Sequence, residues 1–327
     1  MKCLRTAAIL LFGVAMACGM SASKAAAETV LRAIAYAPAN KFADDMIIFK
    51  DWIDRVNKAG AGKIKIDLIG GPEVVPVPEQ VNAVSKGVAD IVMTFTVHQG
   101  LIPEIGTAPA SMITPQEERK NGYLKLLDDA HAKINIKVIG RTSTNSGFYI
   151  FSKKPITKMA DFDGLKIRSH SGYDPFFKAL HAVPVGIAIS EIYAALDRGL
   201  VQAAPYPLFV SDMGVQEVAK YMLADDFWPA HTTFTYMNRR KFDSLPQDQK
   251  DLLIKTQIQL ENEMPAIVKK IQEKEKARLQ KAGMTFTHLP KDELPRWHRL
   301  ADDSLFTNLN GKLSPDEIAR IKKLILR

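Results

Sequence analysis

The chain offers almost no sulfur chemistry: its 327 residues include two cysteines, and both, Cys3 and Cys18, fall within the first 27 positions. Once that segment is removed no thiol remains, which excludes a disulfide framework, a cysteine nucleophile and a thiolate zinc site together. The motifs of common hydrolases and metalloenzymes are missing too. There is no H-E-x-x-H and no G-x-S-x-G, and the seven histidines, His98, His131, His170, His181, His231, His288 and His298, are scattered without metal-ligand spacing. No catalytic residue, metal or cofactor is therefore expected. Ala59-Gly60-Ala61-Gly62-Lys63 has some likeness to a phosphate loop, but Ile64 replaces the required Ser or Thr and the glycine spacing is wrong; a turn before a strand explains it better. Glu117-Glu118 and Asp225-Asp226 read as surface pairs rather than as an acid/base couple.

Long hydrophobic runs are equally scarce. Lys2 and Arg5 precede an apolar run from Ala7 to Met20, shorter than the roughly 20 residues of a spanning helix, and Ala25-Ala26-Ala27 supplies the small residues a signal peptidase needs. Met1 to Ala27 is expected to be a secretory signal, and Cys18, preceded by Ala15-Met16-Ala17, sits in a poor lipobox. Loss of Lys2, Arg5 and Lys24 takes the net charge from +8 to +5, an excess that favours small anionic solutes weakly and argues little for nucleic acid. With 46% apolar and 24% charged residues, neither disorder nor a membrane bundle fits.

What is there alternates strands with helices. Thr29 to Ala37 reads as a strand; Phe42, Met46, Phe49, Ile53 and Val56 recur at helical spacing; Lys63 to Ile69 alternates again. Pro78 to Lys86 predicts a helix stopped at Gly87, and Val88 to Phe95 an apolar strand. Thr114-Pro115-Gln116-Glu117 predicts a capping box opening a helix to about Ala132, before a strand from Ile134 to Gly140. This is the pattern of a mainly parallel sheet with helical crossovers. Ala83 to Asp90 and Ala195 to Gln202 share a helix end, a basic residue, a glycine stop and an entering strand, as two similar α/β lobes would. A helix capped at Ser244-Leu245-Pro246-Gln247 is expected to run to about Ala282, with Ile254, Ile258, Met264, Ile267 and Ile271 as its buried stripe and a bend at Pro265. Two further amphipathic helices follow around Trp297 and Ile318.

Asp161 to Pro207 carries the most specific signal. Asp163-Gly164 is a turn, and Leu165 to Arg168 is a short strand with Leu165 and Ile167 on one face, so that Arg168 points away from the packed side. Asp174-Pro175 supplies an N-cap and first-turn proline, and a second helix runs from Ser190 to Gly199 ahead of an apolar strand, Leu200 to Tyr206. A guanidinium at the end of such a strand can hold a carboxylate or phosphate bidentately. The phrase D-F-D-G-L-K-I-R, the run around Val183-Pro184-Val185 and then E-I-Y-A-A-L-D-R-G-L-V-Q resemble the signature of the solute receptors of TRAP (tripartite ATP-independent periplasmic) transporters. Gly147 to Ile156 and His231 to Pro246 resemble the segments flanking that signature.

The resemblance implies an α/β, two-lobed periplasmic-binding-protein-like fold with a long helix crossing both lobes. Lobe I would hold 28–145 completed by 235–273, and lobe II 146–234 completed by 274–327, with hinges near Ser143 to Phe151 and His231 to Met237. It also implies that Arg168 binds a substrate carboxylate, that the protein works in the periplasm, and that integral membrane subunits receive its ligand. A monomer is expected. Two positions depart from the family pattern: polar partners of the ligand become Phe148, next to Tyr149, and Tyr206. With Phe95, Tyr36, Trp228 and His170 these are the candidate ligand-binding residues, and rings in place of polar groups suit a monocarboxylate with an aromatic or bulky apolar tail. The alternatives are a secreted hydrolase and the ligand-binding input protein of a sensor system.

Overall fold

A computed structural model of the chain describes residues 27–38, 44–143, 147–170, 172–229 and 232–326. All but the last residue of the expected secretory signal, together with Phe42 and His231, lies outside them. Thr29–Ala35 (β1) pairs in parallel with Ile64–Gly70 (β2) and Ile91–Thr94 (β3), through crossovers that contain the helices Asp44–Ala59 (α1) and Gln80–Ser85 (α2). Met46, Phe49, Ile53 and Val56 of α1 are buried as their spacing requires, with Trp52 between them. β3 is shorter than its apolar run because Val88 is exposed and Asp90 turns its carboxylate to the Arg32 backbone N–H, 2.8 Å away.

The helix expected from Pro115 to Ala132 is split into Pro115–Asn121 (α3) and Tyr123–Ala132 (α4) by Gly122, whose left-handed φ of +92° ends one helix and starts the next. The capping box on Thr114 forms with Glu117. Ile136–Arg141 (β4) then closes the first run of strands.

Phe148–Ser152 (β5) opens a second sheet. Lys166–Ser169 (β6) pairs in parallel with Val183–Gly186 (β7) and Ala203–Pro207 (β8), with Asp174–Ala179 (α5) and Ile192–Asp197 (α6) in the connections. Val215–Val218 (α7) leads to Tyr221–Leu223 (β9). Phe234–Asn238 (β10) returns to the first sheet, antiparallel to β3 and β4, followed by Arg239–Ser244 (α8) and Gln247–Lys281 (α9). Thr285–Thr287 (β11) joins β9, and Leu294–Thr307 (α10) and Pro315–Ile325 (α11) end the chain.

The sheet orders are β2-β1-β3-β10-β4 and β11-β9-β5-β8-β6-β7. In each, a parallel triple (β2-β1-β3, β7-β6-β8) is extended by an antiparallel strand, β10 or β5, and then by β4 or β9, which runs antiparallel to that strand and so in the direction of the triple. The sequence echo falls on the equivalent α2–β3 and α6–β8 turns, whose glycines, Gly87 and Gly199, have φ of +80° and +72°. This is the two-lobed α/β architecture.

α9 spans both halves: it packs on α1 and β4 near its start and on the 210–213 turn near its end. Its details differ from the expectation. Ser244 ends α8, its Oγ donating to the Lys241 carbonyl at 2.7 Å, and α9 starts after Pro246 without a side-chain cap. The buried stripe is Leu253, Leu260, Met264, Val268 and Leu279, interleaved with Gln257, Glu261 and Glu275. Ile254, Ile267 and Ile271 flank it half-buried, and Ile258 is exposed. One residue's rotation separates the two faces, and a pattern scored on apolar residues alone skips the buried polar positions. The helix continues through Pro265. That proline leaves the Glu261 carbonyl without its intrahelical donor, and the Gln116 side-chain amide donates to it instead at 2.8 Å. At the end of the chain α10 packs on α5 and on the 103–110 turn, whereas α11 lies against α3 and α4, so residues 274–327 touch both halves.

Candidate ligand-binding cavity

Between the two halves lies a cavity of about 310 Å³, lined by residues of both. β6 sends Ile167 into the core and Arg168 to the other face, where it lines the cavity yet is only 3% exposed. Its Nε donates to the Ile187 carbonyl at 3.0 Å, and the guanidinium also donates to the phenol oxygen of Tyr173. Desolvation by burial lowers its pKa and the phenols of Tyr173 and Tyr206 oppose that, but guanidinium stays charged in proteins. No carboxylate among the described residues pairs with it. Asp174, expected as an N-cap, lies inside α5 instead, where its carboxylate accepts from Ser169 Oγ at 2.6 Å.

His170 also lines the cavity, its ring centroid 3.8 Å from that of Tyr173. The Gly172 backbone N–H donates to its Nδ1 at 2.9 Å, so the ring proton of the neutral imidazole sits on Nε2. Water reaches this ring, but desolvation by the surrounding protein and then the charge of Arg168 push its pKa down to about 4.

The aromatic wall comes from both sides. Tyr36 and Phe95 meet edge-to-face at 5.4 Å, and Tyr36 donates its hydroxyl to Asp45 at 3.1 Å. Phe148 packs edge-on to Tyr173 at 5.8 Å and to Trp228 at 6.0 Å, while Trp228 donates its indole N–H to the Ala301 carbonyl at 3.2 Å. Tyr206 reaches the cavity from β8, its pKa pushed up to about 12 mainly by burial.

Arg168, His170, Tyr36, Phe95, Phe148, Tyr206 and Trp228 are thus brought together. Tyr149 is not among the lining residues. It packs in the core with Phe151, Ile192 and Leu196, because β5 turns neighbouring side chains to opposite faces. Phe227 lies behind the wall, stacked on Phe176 at 5.1 Å. Sequence reasoning missed Tyr173, Gln99, Thr232, Leu305 and Asn308, which also line the cavity. Tyr173 stands five residues past Arg168 and could have been found from that strand–helix turn. Leu305 and Asn308 come from α10, far along the chain, and nothing local marks them.

Among the described lining residues Arg168 is the one charged group, and none is acidic. No cluster of three or more histidine, cysteine, aspartate or glutamate side chains suited to a metal occurs among the described residues. A wider outer groove of about 840 Å³ beside α4, α8 and α9 is lined in part by Lys137 and Arg119, but these are already paired with Asp128 and Glu261.

The family model of bacterial extracellular solute-binding proteins, family 7 (DctP), matches residues 44–305. The chain is 24% identical over 276 residues to a solute-binding protein of Albidiferax ferrireducens, covering 81% of each. It is 29% identical over 195 residues to the C4-dicarboxylate-binding periplasmic protein DctP of Rhodobacter capsulatus, covering 57% of this chain and 56% of that one. Its fold matches a TRAP periplasmic solute-binding protein from Desulfovibrio salexigens, solved with bound orotic acid. There the TM-score is 0.75 at 20% identity, over 90% of this chain and all of the other. The chain belongs to the DctP family, the family 7 solute receptors of TRAP transporters.

Proposed function

We propose that this receptor works in the periplasm, captures an organic acid as a monoanion in the cavity between its lobes, and hands it to the integral membrane subunits of a TRAP transporter. The observation that carries the ligand reading is Arg168: a buried, permanently charged fork that lines the cavity without a carboxylate partner among the described residues. An ion left unpaired in protein is costly, and a bound carboxylate completes it through two parallel hydrogen bonds. With one cation, no acid and a neutral His170, the cavity balances one negative charge, so a second carboxylate or an ammonium group would lie there uncompensated. The rings of Phe148, Tyr206, Trp228, Tyr36 and Phe95 favour an aromatic or bulky apolar tail. Lobe I (28–145 with 235–273) and lobe II (146–234 with 274–327) close about the hinges at 143–151 and 231–237, taking the ligand out of water and strengthening its ion pair.

Calorimetry with phenylacetate, phenylpyruvate, malate, succinate and sialic acid tests this. The aromatic acids should bind more tightly than the dicarboxylates and the sugar acid. Arg168→Ala should weaken binding tens- to thousands-fold, as expected for about 2–5 kcal/mol, and Arg168→Lys should restore only part. Native affinity in Arg168→Ala would overturn the anchor, and preference for malate would overturn the aromatic tail. A screen for ester, phosphate and glycoside turnover should be silent.

A further inference from the structure

Between β3 and the 103–110 turn the first half of the molecule supplies one stretch of the cavity wall, where Phe95, Thr96, Val97 and Gln99 all line it. From residue 95 to residue 101 the one buried side chain is His98, 5% exposed, and it does not line the cavity. The backbone N–H groups of Val97, Gln99, Leu101 and Ile102 donate to the carbonyls of Phe95, Thr96 and His98, so these bonds close within the segment and tie it to nothing else. His98 reaches away from the cavity. Its Nε2 lies 2.7 Å from Nε2 of His131 on α4, and Tyr236 of β10 meets its ring edge-to-face at 5.2 Å while stacking on His131 at 5.1 Å.

The protons of this pair follow from its partners. The Leu127 carbonyl, 2.6 Å from His131 Nδ1, can only accept, so in a neutral His131 the proton sits on Nδ1 and Nε2 is the acceptor. His98 therefore donates through Nε2, and its own Nδ1 is left bare, buried and without a hydrogen-bond partner among the described residues. An unmatched acceptor inside a protein is costly, and two apolar side chains of similar shape would fill the space without that cost. Stability alone thus favours leucine at both positions. What the imidazoles add is a directed bond from the segment to a helix that packs on β4. We propose that His98 is a positioning residue for ligand binding: through His131 it holds the 95–99 wall where Phe95, Val97 and Gln99 meet the ligand, so that affinity depends on two histidines that do not line the cavity. This rests on the reading of the cavity as the ligand site.

Two variants test it, the double substitution His98→Leu with His131→Leu, and His98→Gln, whose side-chain amide can still donate to His131 Nε2. Calorimetry on the purified receptor uses whichever of phenylacetate, phenylpyruvate, malate, succinate and sialic acid the wild type binds most tightly. The double variant should bind that acid about tenfold more weakly, whereas His98→Gln should stay within about twofold of wild type. The unliganded double variant should melt no lower than wild type, which separates a positioning role from a merely structural one. Hydrogen exchange of the 95–102 amides in the unliganded double variant should speed about tenfold while β3 and β4 are unchanged, and His98→Gln should exchange as wild type does. Native affinity in the double variant, an equal loss in both variants, a lower melting temperature accompanying the loss, or unchanged exchange would each overturn the proposal while leaving Arg168 as the anchor. If none of the five acids binds the wild type, the reading of Arg168 falls, and the exchange comparison alone decides whether His98 holds the wall.

Discussion

Among the described residues each half of the molecule buries one arginine, and the two are treated in opposite ways. Arg141 ends β4 in the first sheet, 1% exposed, with Nη1 donating to Glu118 at 2.5 Å and Nε to the Ser143 carbonyl at 2.9 Å; Glu118 also accepts from Ser111 Oγ at 2.7 Å. Arg168, on β6 of the second sheet, is 3% exposed and has a backbone carbonyl and a phenol but no carboxylate. Burial raises the pKa of Glu118, while Arg141 and Ser111 act to keep it ionised. One arginine is closed within the protein; the other is left open on one side, where the cavity lies. Two lobes with equivalent strand orders therefore do different electrostatic work, the first keeping a closed ion pair and the second presenting the open charge, while rings come from both.

Replacing each arginine with methionine separates these roles. Arg141→Met strands Glu118 inside the first lobe and should cost about 3–5 kcal/mol of stability by denaturant titration. Arg168→Met removes a buried cation with no acidic partner and should leave the unliganded protein as stable or more so. Similar losses in both would mean that Arg168 has a structural role after all.

A smaller effect comes from the histidines. His98 and His131 share a hydrogen bond of 2.7 Å between their Nε2 atoms, with His131 Nδ1 2.6 Å from the Leu127 carbonyl, and the shared proton allows at most one to be charged without loss of that bond. Desolvation by burial lowers their pKa values to about 3 and about 4. Both are depressed below the unfolded value near 6.5, so the unfolded chain takes up protons first as pH falls. Stability should be flat above pH 7 and fall by roughly 2–3 kcal/mol from pH 7.5 to 5.5, read from denaturant midpoints. His98→Asn should reduce that slope, and an unchanged slope would assign the loss to other groups.

Next in size is Gln116→Ala, which removes the donor to the Glu261 carbonyl and should cost about 1 kcal/mol; no loss would mean that the carbonyl finds another partner. Smallest is the effect of pH on ligand binding. His170 titrates near pH 4, so its neutral form dominates above pH 6 and aromatic-acid affinity should change less than about threefold between pH 6 and 8. A steep rise toward pH 6 would mean that His170 becomes cationic there and adds a second positive charge to the second lobe.

The sequence by itself determined the alternation of strands and helices, the glycine stops at Gly87 and Gly199 and the capping box at Thr114, because each depends on residues within a few positions of one another. It also marked Arg168, on a short strand whose apolar partners had to face the core, and the family likeness made that residue a ligand anchor. Tertiary structure decided what depends on distant partners. It sent Tyr149 into the core while Phe148 and Tyr206 stayed on the cavity, turned the buried face of α9 to include Gln257 and Glu261, and let Gln116 make up the bond lost at Pro265. It brought Leu305, Asn308 and Thr232 to the same cavity as Arg168. A period in the sequence shows that a helix or strand has two faces, but which buried polar group meets which partner is decided only when elements far apart in the chain pack together.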